Sequence, residues 1–217
     1  MHLQQTSIQG EDFVGLFGMA TDKYAILSEN FPECDVLGVP VYRTKIYGTN
    51  LVGLFCSGNS NGLLLPYFVS DEELKKIKDF VSQFGVVVEK VFDKHTATGN
   101  MIACNDKAAI VSPRVLDASD IEDALGVEVI QCDIALYEEV GSCCIATSKG
   151  FLVHPEAEET LAELEKIFKV PGLAGSVNFG FPFVKSGVIA NSSGYVTGTR
   201  TSGIELGRID EALGFLD

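Results

Sequence analysis

Apolar residues in this chain come in short runs separated by polar turns, and the arrangement recurs. Gly62-Leu-Leu-Leu-Pro66, Ala108-Ala-Ile-Val-Ser-Pro113 and Gly150-Phe-Leu-Val-His-Pro155 each follow a polar turn: Gly58-Asn-Ser-Asn61, Asn105-Asp-Lys107 and Thr147-Ser-Lys149. Each turn follows an apolar run opened by a glycine: Gly53, Gly99 or Gly141. Weaker copies run from Gly15 to Tyr24 and from Lys185 to Gly194, which gives five units starting near 15, 53, 99, 141 and 185. Two apolar runs around an Asn/Asp/Ser/Gly turn predict a β-hairpin.

A helix is predicted after each hairpin. Ser70-Asp-Glu-Glu73 is a capping box, followed by an apolar stripe of Leu74, Ile77, Val81 and Phe84 and a stop at Gly85. The same S-x-x-E pattern opens helices at Ser119–Glu122 and Ser202–Glu205, and Leu161, Leu164 and Phe168 mark one after Pro155. The first unit offers only a short helical candidate near Cys34–Leu37. A further strand follows each helix, at Val39–Lys45, Val86–Phe92, Val127–Cys132 and Lys169–Leu173. The repeat Ile121-Glu-Asp-Ala-Leu-Gly126 and Ile209-Asp-Glu-Ala-Leu-Gly214 supports the frame. The fifth unit has almost no chain left for its last strand, while Leu3–Ile8 is a strand with no helix before it. The expectation is a single α/β domain, 1–217, of five ββαβ units. Strand 3–8 completes the last unit and closes a ring, removing open sheet edges. An open solenoid would carry polar caps at both ends, and none is evident.

Composition narrows the function. The chain has 217 residues, 16 Lys plus Arg against 30 Asp plus Glu, and a net charge of −14. That balance argues against gripping DNA or RNA through phosphates. Met1-His2-Leu3-Gln4-Gln5 has no cationic stretch leading into an apolar run, and no apolar run approaches membrane-spanning length, so a cytoplasmic protein is expected. Six cysteines (Cys34, Cys56, Cys104, Cys132, Cys143, Cys144) contain no C-x-x-C pair and fit free, mostly core thiols rather than zinc ligands. The glutamates Glu156, Glu158, Glu159, Glu163 and Glu165 read as one solvated helix face. No Walker or dinucleotide glycine motif occurs; Gly172-Leu-Ala-Gly175 is too short and lacks the lysine.

The runs 51–66, 98–107 and 140–155, with Gly175-Ser-Val-Asn178 and Thr201-Ser-Gly-Ile-Glu-Leu206, resemble the translation initiation factor 6 family, archaeal type. The sequence ends at Asp217, without the extra carboxyl-terminal tail of eukaryotic members. The resemblance implies a pentein fold, five units about a pseudo-fivefold axis. It also implies a non-catalytic factor that needs no cofactor or metal. Such a factor binds the large ribosomal subunit and prevents premature joining of the small one, with a tie to large-subunit maturation in eukaryotes. Its implied partner is a ribosomal protein beside the sarcin–ricin loop, with limited rRNA contact, and self-closure favours a monomer.

In a closed repeat ring, equivalent loops share a face. The loop before each hairpin supplies Gly15-Leu16, Gly53-Leu54, Gly99-Asn100, Gly141-Ser142 and Lys185-Ser186, a low surface with one charge, suited to close approach by a partner. Asn100 ranks first because it matches the family's Gly-Asn position. As a competing explanation, Gly99-Asn100 is simply a turn, and Leu54 a core strand residue. The runner-up function is a guanidino-modifying enzyme of the same fold, with a Cys nucleophile and a His base. It meets no late cysteine after Cys144, and only His2, His95 and His154 as bases. A DNA-encircling clamp would need a lysine-rich inner surface, and the lysines here are scattered.

Overall fold

The computed structural model describes residues 2–216 and contains five three-stranded sheets. In chain order, β1 (Leu3–Thr6) comes first. A 3-10 turn (Val14–Phe17) then leads into β2 (Gly18–Ala20), β3 (Ala25–Ser28) and β4 (Val41–Thr44). The second unit is α1 (Val52–Phe55), β5 (Ser57–Gly58), β6 (Gly62–Pro66), α2 (Asp71–Val81) and β7 (Val87–Val91). The third is α3 (Thr98–Met101), β8 (Ile102–Cys104), β9 (Ala108–Val111), α4 (Ser119–Leu125) and β10 (Glu128–Gln131). The fourth is α5 (Val140–Cys143), β11 (Cys144–Ala146), β12 (Phe151–Val153), α6 (Leu161–Phe168) and β13 (Gly172–Ala174). The fifth is α7 (Val184–Gly187), β14 (Val188–Ala190), β15 (Tyr195–Gly198) and α8 (Gly203–Ala212), and its third strand is β1.

The pairing is the same in each sheet. The first strand is antiparallel to the second, and the third is parallel to it: β3 with β4, β6 with β7, β9 with β10, β12 with β13 and β15 with β1. Leu3 lies opposite Tyr195 and Thr6 opposite Gly198.

Every middle strand is buried along its whole length, which is why these strands read as continuous apolar runs. Their side chains alternate between two cores. Leu63 and Leu65 pack with Ile77 and Val81 of α2, while Leu64 faces the core of the third unit. Ile26 likewise reaches the second unit's core, Ile110 the fourth's, Leu152 the fifth's and Val196 the first's. Each unit therefore contributes a side chain to the core of the next, and the fifth contributes one to the first.

The hairpin turns add polar ties. Asn59 Oδ1 accepts from Asn61 N and Gly62 N, closing its own turn, while its Nδ2 donates to Asn105 O and Leu125 O of the next unit at 3.1 and 3.0 Å. Asn105 repeats this toward Thr147 O and Phe168 O, and Asn191 toward Thr21 O and Leu37 O. Leu125 and Phe168 end helices, so the asparagine satisfies carbonyls that a helix terminus leaves open. Thr21 and Thr147 close only their own turns. Tyr24 compensates at the first, its hydroxyl donating to Gly62 O.

Three sequence expectations differ. No helix forms at Cys34–Leu37; that segment is held instead by Asn191 at Leu37 O and by burial of Cys34 and Leu37. The capping boxes at Ser70 and Ser202 are present, but Ser119 is not a cap: α4 has Ala118 at that position, and the Ser119 hydroxyl donates to Asp117. The segments before the hairpins are single helical turns rather than loops. Four residues are too few to carry a helical period.

Candidate functional site

The single turns Val14–Phe17, α1, α3, α5 and α7 each precede a first strand, so they share one end of the sheets with the exits of the second and third strands. They touch in sequence, and α7 touches Val14–Phe17. A Cβ built on Gly53 would lie 2.0 Å from Gly15 O, one on Gly99 2.1 Å from Gly53 O, one on Gly141 2.2 Å from Gly99 O, and one on Gly15 1.8 Å from Lys185 O. The glycines are buried, and the close approach they permit is made to the neighbouring unit's backbone rather than left for a partner. The residues that follow them, Leu16, Leu54, Asn100, Ser142 and Ser186, are half-buried at this end. Leu54 lies on a helical turn, not in a core strand. The Ser142 and Ser186 hydroxyls fold back onto Glu139 O and Phe183 O, both at 2.7 Å.

Lys185 stands where the other units have glycine. Its charge is not displayed on this end. The side chain turns inward, and Nζ donates to Gly99 O at 2.7 Å. There it lines a cavity of about 40 Å3 bounded by the first strand of every unit. Burial lowers the Lys185 amine below its ordinary value, against the opposing influence of Cys104, Cys56 and Cys144.

Sequence reasoning missed the most exposed part of this end. Tyr47, Tyr67, Phe92, Leu116, Leu136, Phe179 and Ile204 are 46% to 91% exposed, and each follows a second or third strand. Tyr47, Leu136 and Phe179 sit on turns with φ of 51°, 67° and 67°, a left-handed conformation that bulky residues rarely adopt. Short bridges (Ile46 with Thr49, Ile134 with Tyr137, Val177 with Phe181) hold these turns. Around the second unit the rings form a contiguous set: Phe68 lies within 5.3 to 5.7 Å of Tyr47, Phe55 and Tyr67, and Tyr67 stacks on Phe92 at 6.2 Å. An available sequence signal was the large apolar residue before glycine at Tyr47-Gly48 and Phe179-Gly180, where a turn tip ordinarily takes a small polar residue.

Chemistry is poorly served. Burial pushes the Cys56 and Cys143 thiols up to about 12 and raises those of Cys104 and Cys144, the reverse of what a nucleophile requires. His154 is buried against Tyr137 and Phe183, and its Nδ1 accepts from Glu156 N at 3.2 Å, which makes it a cap. Among the described residues no cluster of three or more His, Cys, Asp or Glu is placed to hold a metal ion, and no helix is long and apolar enough to cross a membrane.

Fold and site together define a repeat-built α/β protein whose distinguishing surface is one end rimmed with exposed apolar side chains. Residues 3–212 match the eIF-6 family. Over the full length of both chains the protein is 39% identical to translation initiation factor 6 of Pyrococcus horikoshii and 40% identical to that of Pyrococcus abyssi. It is 39% identical to translation initiation factor 6 of Methanosarcina mazei over 99% of this chain and all of that one. The chain belongs to the eIF-6 family.

Proposed function

We propose that this protein is a non-catalytic cytoplasmic translation factor whose five units form a closed, monomeric pentein ring. In this reading the end carrying the single turns docks on the large ribosomal subunit and blocks the small subunit by occlusion. The observation that carries the reading is the concentration of exposed apolar side chains at that end, three of them on turns held in a conformation unfavourable to bulky residues. Strain retained at an exposed tip is most simply accounted for by what the tip contacts. Family membership and the relatives' names supply the setting, translation.

The partner is chiefly a ribosomal protein beside the sarcin–ricin loop. Apolar and aromatic side chains suit a protein surface, and a net charge of −14 disfavours broad contact with rRNA. A standard interface of about 800 Å2 per partner fits one end of such a molecule. Asn100 and Leu54 lie inside the apolar rim, flanked by Leu16, Ser142 and Ser186. Gly53, Gly99 and Gly141 shape the surface from beneath. Lys185 acts from within.

Asn100→Arg should weaken co-sedimentation with the large subunit by about tenfold or more while the thermal midpoint holds, since a bulky cation at an interface centre is poorly tolerated. Wild-type protein should also keep purified subunits apart on a sucrose gradient. Unchanged co-sedimentation of Asn100→Arg removes Asn100 from the interface, and free joining of subunits in the presence of excess protein overturns the reading.

A further inference from the structure

We propose that Lys185 is a positioning residue for Asn100, acting through the peptide that joins Gly99 to Asn100. The functional consequence rests on the large-subunit reading above; the geometry does not.

Gly99 O and Asn100 N belong to one rigid planar group. Its oxygen accepts from Lys185 Nζ at 2.7 Å, and its N–H donates to Ala97 O at 2.8 Å. Two hydrogen bonds on opposite edges of the plane fix its tilt, and the tilt sets the direction in which the Asn100 side chain leaves the surface. The corresponding planes hold only part of this arrangement. Leu16 N, Ser142 N and Ser186 N donate to Phe13 O, Glu139 O and Phe183 O. The Gly15 and Gly53 carbonyls lie against the next unit's glycine, as the Gly99 carbonyl lies against Gly141. Among the described residues, only the third unit's plane also receives a side-chain cation, sent from the fifth unit across the central cavity.

Local turn geometry does not call for this lysine. The equivalent positions are Gly15, Gly53, Gly99 and Gly141, and all four build the same turn. A lysine here gives up stem freedom and hydration, and no ion pair with a carboxylate offsets that among the described residues. The titratable groups facing it are the thiols of Cys104, Cys56 and Cys144. The costly residue reaches the one carbonyl whose peptide leads into Asn100. Inward direction also explains how the single charge among these ten residues coexists with an apolar end.

The test is a double-mutant cycle of Lys185→Met and Asn100→Ala, reading large-subunit affinity by co-sedimentation and amide positions by NMR. Lys185→Met should cost about tenfold in affinity. In the Asn100→Ala background it should cost less than about twofold, because its effect passes through that side chain. The Asn100 amide resonance should move while that of Leu54 stays. A general structural role would lower affinity equally in both backgrounds; that result, or an unmoved Asn100 amide, overturns the proposal. If Asn100→Ala leaves affinity intact, the interface assignment of Asn100 fails and the amide shift alone decides the positioning. If Lys185→Met does not fold, the wild-type ammonium decides. A slowly exchanging Lys185 Nζ resonance with a cross-peak to the Asn100 amide supports the proposal, and exchange as fast as that of surface lysines overturns it.

Discussion

Thr98 opens the turn that presents Asn100, and its side chain is at odds with its surroundings. It is 2% exposed, and its Oγ1 has no hydrogen-bond partner among the described residues. The equivalent residues, Val14, Val52, Val140 and Val184, are all fully buried. Threonine has the shape of valine, so packing is preserved while a hydroxyl loses its water. An unsatisfied buried hydroxyl costs about 1–3 kcal/mol. Thr98→Val should therefore stabilise the fold by about 1 kcal/mol, read as a higher urea midpoint at unchanged slope; a lower midpoint would mean that the hydroxyl has a partner. Single residues were only partly legible. The recurrence of Gly15, Gly53, Gly99 and Gly141 showed that a side chain is forbidden there, but not what forbids it. The obstruction is a carbonyl of the neighbouring unit, some forty residues away in sequence for Gly53, Gly99 and Gly141 and at Lys185 for Gly15, which no local pattern encodes. Lys185 was misplaced for the same reason: its acceptor is in another unit.

At the scale of elements, α8 depends on one carboxylate. Glu205 Oε2 accepts from Ser202 N at 2.7 Å, closing the capping box. The same group accepts from Ser176 Oγ, Phe179 N and Gly180 N at 2.8, 3.1 and 2.8 Å, tying the helix to the turn that displays Phe179. Burial alone would push this carboxyl up, but the N–H and hydroxyl donors outweigh it and hold the group below its ordinary value. A carboxyl depressed in the folded state contributes stability that is present above its unfolded value and lost as pH falls through the folded one. The thermal midpoint should thus decline as pH drops below about 4, and Glu205→Gln should make that decline shallower; superimposable profiles for the two proteins would count against the role assigned to Glu205. The capping box was readable because its two partners lie three residues apart. The identical pattern at Ser119 misled because Asp117, just upstream, takes the serine hydroxyl and shifts the helix start by a residue. The exposed turns escaped notice because an apolar residue between strands reads as core until its backbone conformation is known.

At the scale of the molecule, the five-unit plan was legible because it is written five times and each copy tests the others. Its energetics were not, since they reside in contacts between units, such as Leu64 in the third core and Asn105 on Phe168 O. The amino-terminal strand is where sequence order and spatial order part furthest. Leu3–Thr6 pairs with Tyr195–Gly198, Tyr195 N donates to His2 O at 2.7 Å, and Gln5 Nε2 donates to Thr201 O at 2.8 Å. His2 adds a bond to Asp210 at 2.9 Å and stacks on Phe215. Removing residues 2–8 turns β15, a middle strand buried along its length, into an open edge. Losing about four backbone hydrogen bonds at ~1 kcal/mol each should lower the thermal midpoint by about 10 °C, and the bared edge should recruit a second copy, seen as concentration-dependent mass by light scattering. A synthetic peptide spanning residues 2–9 should restore both the midpoint and the monomer, because the missing strand pairs through backbone groups that a free peptide also carries. A truncated chain that melts where the full chain does, and stays monomeric, would show that the first and fifth units hold together without their shared strand.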